Sequence, residues 1–201
     1  MKLYFSPFSP YVRKCLVTAH ELGLDQRIEL LPCAAHPVQR DAKLVADNPL
    51  GKIPTFFSDD GLVLFDSRVI CEYLNDLGQG SIFPPAGRAR WEALTLHSLA
   101  DGMLDAALLI RYELTARPEA LRWADWQAGQ MAKIEAAMGA LDGQVAALKG
   151  RVDIGTLALA CALGYLDLRF ADMAWRSRHA PLAAWCAEFM QRPSMQASWS
   201  L

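Results

Sequence analysis

At 201 residues the chain is long enough for one large domain or two small ones, and at 53% hydrophobic and 21% charged it has the makings of a packed core and not the composition of a disordered chain. A net charge of −2, with no basic stripe, argues against nucleic acid as a main partner while leaving room for a local positive pocket that takes an acidic small molecule. Five scattered cysteines (Cys15, Cys33, Cys71, Cys161, Cys186) and four scattered histidines form no CxxC pair and no ligand cluster, so no metal is expected and the thiols read as free cysteines of a reducing, cytoplasmic setting.

Met1-Lys2 leads straight into Leu3-Tyr4-Phe5 and then prolines, so no secretory leader is expected. Lys2–Phe5 reads as a strand. Pro10–Leu22 reads as a helix stopped near Gly23, with Pro10 in the first turn, where its missing N–H would be unpaired anyway. Ser9 then stands among backbone N–H groups that have no partner within the helix. A hydroxyl there can cap the helix, hold a small anion or stabilise a thiolate. Arg27–Leu31 reads as a second strand, parallel to the first because a helix joins them. Pro37–Ala46 reads as helical. Pro54–Ser58 and Leu62–Phe65 flank Asp59-Asp60-Gly61, a hairpin signal, and form an antiparallel pair. Asp66 or Ser67 then caps a helix running to about Leu77. The order βαβ, helix, ββα predicts an α/β domain with a mixed four-stranded sheet over residues 1–78.

Residues 79–87, rich in glycine and proline, read as a linker. From there to 201 there is no strand alternation, and an all-helical domain over 88–201 is predicted, with helices near 88–115, 119–148, 154–171 and 181–191. Pro118 and Pro181 are placed to open the second and the last of these. The most apolar run, Ile154–Phe170, is interrupted or flanked by Thr156, Asp167 and Arg169 and is too short to span a bilayer. It reads as the central helix of a soluble domain, with no membrane partner.

Four features converge on ligand binding. Ser9 is the first. The second is Asn48-Pro49-Leu50-Gly51-Lys52-Ile53-Pro54, where a turn enters a strand. Pro54 suits a central strand only in special geometry, and a cis Ile53–Pro54 bond would turn the Ile53 amide and carbonyl outward to pair with an extended ligand. The third is Asp66-Ser67 at a helix start, where the N–H and hydroxyl of Ser67 can take a carboxylate and Asp66 an ammonium. Lys52 adds a cation near the turn. A short peptide with a free amine, carboxylates and a thiol suits this set, although the residues alone do not single it out.

Order and spacing add a resemblance. Ser9-Pro10-Tyr11-Val12-Arg13-Lys14, the Asn48–Pro54 run, and Phe65-Asp66-Ser67 with Ile70, Tyr73 and Leu74 mark the first half; Ala100-Asp101-Gly102 with Asp105, and Ala162-Leu163-Gly164-Tyr165-Leu166-Asp167-Leu168-Arg169, mark the second. Over essentially its whole length the chain resembles the glutathione S-transferase family, bacterial cytosolic type. The resemblance implies a thioredoxin-like first domain, a helical second domain lining the second-substrate pocket, and glutathione as co-substrate. It implies a cis Pro54, an Ile53 backbone that holds the cysteinyl part of glutathione, Asp66 and Ser67 on the γ-glutamyl end, and Lys52 near the glycine carboxylate. Ser9 matches the activating residue of serine-type members, donating a hydrogen bond to the glutathione sulfur with help from the helix N-terminus and Arg13. Lowering a thiol pKa of about 8.5 by about two units is worth roughly 3 kcal/mol. No histidine base is placed beside Ser9, which disfavours a hydrolase nucleophile.

The resemblance further implies a homodimer formed around 68–73 and 88–99, with Asp101 reaching the partner's glutathione. Tyr11, Arg111, Tyr112 and Trp175 are candidates for the second-substrate pocket, with Trp199 behind them. Tyr165, Asp167 and Arg169 read as structural, the last two as an internal ion pair. Arg13 and Lys14 have a plainer reading as a solvated face, and Tyr4 lies inside the first strand. The expected function is conjugation of glutathione to, or isomerisation of, a small hydrophobic electrophile. The alternatives are a glutathione-dependent peroxide or disulfide reductase and a non-catalytic scaffold. Ser9-Pro10-Tyr11-Val12 holds no cysteine, which disfavours thiol–disulfide exchange. Asp153 and Thr156 stand in reversed order relative to the family's helix-start pair, which Asp153 can still cap.

Overall fold

The first strand, β1 (Lys2–Phe5), is the centre of a four-stranded sheet in the order β2-β1-β3-β4, where β2 is Glu29–Pro32, β3 is Phe56–Phe57 and β4 is Val63–Leu64. β2 runs parallel to β1 with Leu3 opposite Leu30, and β3 runs antiparallel with Leu3 opposite Phe56. The sheet is the mixed one expected. The structure is a computed structural model that describes residues 1–198, so Trp199 lies outside the described residues. The fold is an α/β sheet domain together with a helical one, and it divides into two compact units, Met1–Pro85 with the segment from Pro193, and Ala86–Arg192.

In the first unit, α1 (Pro10–Glu21) crosses from β1 to β2 and ends at Gly23, whose φ of +66° lies in the left-handed region that glycine tolerates. α1 is buried on nearly every side from Val12 to Ala19, including Arg13, Lys14 and Thr18. It packs against α3 (Ser67–Leu77) and against a short terminal helix, Pro193–Ala197, which belongs to this unit and so departs from the expected 88–201 helical domain. The solvated-face reading of Arg13 and Lys14 is corrected: both are buried, and Arg13 bonds to the C-terminal segment.

The expected 37–46 helix is shorter. α2 spans Ala42–Asp47, capped by Asp41, whose Oδ1 accepts the Leu44 N–H at 2.8 Å. Upstream, the Val38 and Gln39 amides donate to His36 Nδ1 at 3.2 and 2.9 Å, a local side-chain bond that competes with helix formation. The second strand begins at Glu29, two residues later than expected, because Asp25–Arg27 forms a 3₁₀ turn.

The second unit is helical. α4 (Gly87–Thr115) packs along α7 (Ile154–Arg169), which is buried at every residue from Ile154 to Leu166, and along α5 (Ala124–Asp142). By length and composition α4 alone passes for a membrane span, yet more than half of its apolar window is buried in this unit. The single helix expected over 119–148 is instead a 3₁₀ turn at Glu119–Leu121, then α5, then α6 (Val145–Leu148). Pro118 opens only the turn. The reason is Glu113: its buried carboxylate accepts the Trp123 N–H at 2.9 Å and the Arg117 Nε–H at 2.7 Å, folding the loop back on α4. α8 (Trp175–Arg178) and α9 (Ala180–Phe189) close the unit, and the terminal helix at Pro193–Ala197 is numbered α10.

The reversed pair at the start of α7 forms a reciprocal capping box. Asp153 Oδ1 accepts the Thr156 N–H at 3.1 Å, and Thr156 Oγ1 accepts the Asp153 N–H at 3.0 Å. Next to it, α7 and α4 approach so closely that a methyl at Gly155 would lie 2.7 Å from the Ala93 carbonyl oxygen and 2.8 Å from Leu96 Cβ. Gly155→Ala is therefore expected to destabilise the protein by about 1–3 kcal/mol through overpacking. Urea denaturation checks this as a lower midpoint at unchanged slope; an unchanged midpoint contradicts the close approach.

Candidate functional site

Strand pairing alone places the site. The Tyr4 N–H donates to the Thr55 carbonyl at 2.9 Å, continuing the antiparallel β1–β3 register one step beyond Leu3–Phe56. Carried further, the same register sets Phe5 and Ser6 beside Pro54 and Ile53. The chain leaving β1 and the chain entering β3 thus meet where α1 begins.

Ser9 is the N-cap of α1, and its Oγ accepts the Val12 N–H at 3.3 Å. That bond uses a lone pair. The hydroxyl proton has no acceptor among the described residues and is available to a ligand. The side chain is neither fully buried nor fully exposed.

Ile53–Pro54 is cis, and no backbone hydrogen bond from Ile53 reaches another described residue. Its amide and carbonyl are open to an extended partner. The turn before it is held by Asn48, which is buried. Asn48 Nδ2 donates to the Lys52 carbonyl and to Thr55 Oγ1, both at 3.0 Å, and its Oδ1 accepts the Leu50 N–H at 3.0 Å. Thr55 Oγ1 donates to the Lys52 carbonyl at 2.9 Å. Arg40 Nη2 donates to the Pro49 carbonyl at 2.5 Å, and Gly51 takes φ +62° beneath Arg40. Lys52 itself is exposed. Asn48 stands in the sequence motif, but its role as the tie for this turn is legible only in the structure.

Asp66 caps α3, its Oδ1 accepting the Arg68 N–H at 2.9 Å, and Ser67 is the first helical residue. The Ser67 N–H is one of the outward-pointing amides of a helix start, suited to a carboxylate. The Ser67 carbonyl accepts the Cys15 thiol at 3.9 Å, which ties the start of α3 to α1.

Other candidates are placed differently. Tyr4 donates its phenol to Asp47 Oδ2 at 2.7 Å, and burial, then that hydrogen bond, push its pKa up to about 12. A phenol turned to a carboxylate in this way is not a thiol activator. Arg13 bonds the C-terminal segment through its Nε and Nη2. Trp175 is 2% exposed and donates Nε1–H to Asp167 at 2.8 Å. Asp167 pairs with Arg176 at 2.7 Å. Asp101 is 1% exposed and lies 3.3 Å from His97 one turn earlier on α4. Tyr11, Arg111 and Tyr112 remain half-buried, and burial raises the Tyr112 phenol. Among the described residues no group of three or more His, Cys, Asp or Glu side chains could hold a metal ion.

With this geometry in hand, the comparisons agree on a class. Residues 8–77 match the family model "Glutathione S-transferase, N-terminal domain" and residues 124–188 match "Glutathione S-transferase, C-terminal domain". The chain belongs to the glutathione S-transferase family. It is 35% identical over 182 residues to the GST-like protein YibF of Escherichia coli (strain K12), covering 87% of this chain and 86% of that one. Among solved structures, a glutathione transferase family member from Pseudomonas fluorescens Pf-5 with bound glutathione is 47% identical, with a TM-score of 0.94 over 98% of this chain and 97% of that one. A second P. fluorescens Pf-5 structure of a family member, with bound S-(propanoic acid)-glutathione, is 46% identical with a TM-score of 0.90 over 98% of both chains.

Tyr4 yields a test. Because its folded pKa is raised from 10.0 to about 12, the protonated phenol is the stabilised form. Its contribution to stability is complete below pH about 10 and is lost as pH rises toward about 12. A spectrophotometric titration of the native protein should show a tyrosine ionising near the top of that window, absent in Tyr4→Phe; ionisation of Tyr4 near the ordinary value of 10.0 contradicts the Asp47 bond.

Proposed function

We propose that the protein is a serine-type glutathione transferase that binds glutathione along Ile53, Asp66 and Ser67 and lowers the pKa of its thiol with the Ser9 hydroxyl. The observation that carries this reading is the pairing at the start of α1: the Ser9 oxygen accepts from Val12 while its proton stays free. A thiolate placed before that helix start meets an O–H donor and the positive end of a helix dipole. The Ile53 amide and carbonyl take the cysteinyl backbone, the Ser67 N–H and hydroxyl take the γ-glutamyl carboxylate, Asp66 takes its ammonium, and Lys52 stands near the glycine carboxylate. Glutathione in the related P. fluorescens structure supports the same co-substrate here. No metal takes part in this proposal.

Activated sulfur implies an acceptor. The bound conjugate in the second relative joins glutathione to a three-carbon acid, which supports a small electrophile bearing a carboxylate. Phe8, 57% exposed beside Ser9, offers an apolar surface to such a molecule, and the half-buried Tyr11 is the side chain proposed to contact it. The reductase alternative lacks a nucleophile: Cys33, the one cysteine among the described residues that is not buried, has its thiol pushed up by burial and by Asp41. Exposed Val69 on α3, and Trp91 and Leu99 on α4, support a homodimer formed through those segments. Five free cysteines support a cytoplasmic setting.

Ser9→Ala is expected to raise the pKa of the bound glutathione thiol by about two units and to lower kcat/KM toward an aromatic or acrylate-type electrophile by roughly 100-fold, while glutathione still binds. Ultraviolet thiolate absorbance against pH and steady-state kinetics read both. An unchanged thiol pKa removes Ser9 from the chemistry, and a wild type that binds glutathione but turns over no electrophile removes the transferase reading.

A further inference from the structure

α10 lies along α1 and is fastened to it at both ends. At the far end of α1, the Ser194 hydroxyl donates to Glu21 Oε1 at 2.5 Å. At the near end, the Arg13 guanidinium donates from Nε to Ser198 Oγ at 3.1 Å and from Nη2 to the Met195 carbonyl at 3.2 Å. Ser198 Oγ donates in turn to the same Met195 carbonyl at 2.9 Å. Arg13 is 6% exposed, Ser194 1% and Met195 0%, so the anchor is shielded from water and its charged hydrogen bonds are of the stronger kind.

Arg13 is also part of the first turn that carries Ser9. Its backbone N–H donates to the Ser9 carbonyl at 3.0 Å. The bond that fixes the Ser9 side chain itself is long, at 3.3 Å to the Val12 N–H. The aim of the hydroxyl is therefore set mainly by the backbone of the turn, and the side chain that steadies that turn from outside is Arg13. We infer that Arg13 and Ser198 are positioning residues: through them the C-terminal segment fixes the first turn of α1 and holds the Ser9 hydroxyl on the ligand sulfur. This rests on the reading of Ser9 as thiol activator. It differs from direct stabilisation of a thiolate by the arginine charge, because Nε and Nη2 of the guanidinium donate to the C-terminal segment.

Full-length variants separate the two roles. Arg13→Ala and Ser198→Ala are each expected to raise the pKa of bound glutathione by about one unit and lower kcat about tenfold, with KM for glutathione changed less than about twofold. Arg13→Lys keeps the charge but cannot make both bonds, so it should remain impaired. In a Ser9→Ala background, Arg13→Ala should add nothing further, since the group it positions is gone. Should Arg13→Ala fail to fold, Ser198→Ala, which removes one oxygen, carries the test. The inference is overturned if Ser198→Ala behaves as wild type, if Arg13→Lys restores full activity, or if Arg13→Ala raises the thiol pKa equally without Ser9. If Ser9→Ala alone leaves the thiol pKa unchanged, the activator reading falls and this inference falls with it; if only the Arg13 and Ser198 variants are silent, the activator reading stands.

Discussion

The antiparallel pairing of β3 with β1 is the constraint on which the rest of the first unit depends. Two strand residues, Phe56 and Phe57, and one further backbone bond from Tyr4 to Thr55 fix the register. A slip of one residue would turn Phe56, fully buried, out of the core, so the register is strongly specified. Once it is set, the Ile53 amide has to lie alongside the chain that climbs out of β1 toward Ser9. The site is thus a consequence of core packing, and its backbone half needs no side-chain chemistry to be recognised.

Irregular backbone near a binding site has to be held by something, and here it is held by buried polar groups that satisfy one another. Asn48 and Thr55 fasten the Lys52 carbonyl. Tyr4 fastens Asp47 at the end of α2. Cys15 and Thr18 on α1 contact Ser67 and Cys71 on α3. The Asn48, Thr55 and Cys15 links join buried groups to the segments proposed to present ligand-binding atoms, so pre-organisation of the proposed site and stability of the core share these interactions. Removing one member of such a network leaves its partner unsatisfied, which costs more than the bond itself.

Much of this was legible from residue order. The strand, the Pro10 helix start, the Asp-Gly hairpin and the Asp66 cap are local signals, and local signals survived folding. What the sequence misplaced depended on contacts between distant residues. Arg13 looks like part of a solvated face until a segment nearly two hundred positions away bonds to it. The helix expected over 119–148 breaks because a carboxylate on the preceding helix captures a backbone amide ten residues on, which no periodicity reports.

The two readings of Ser9, cap and activator, do not compete. A hydroxyl oxygen accepts through its lone pairs and donates through its proton, and α1 uses only the first of these. A shift of about two units in a thiol pKa needs roughly 3 kcal/mol. A hydrogen bond to a charged acceptor supplies about 1.5–3 kcal/mol and a helix N-terminus about 0.3–1 kcal/mol more. Those two contributions close the requirement without a guanidinium at the sulfur. In the proposed reading Arg13 is then left to anchor the turn, and a chain with no cysteine in Ser9-Pro10-Tyr11-Val12 presents a reactive sulfur because the protein supplies the environment and the ligand supplies the atom.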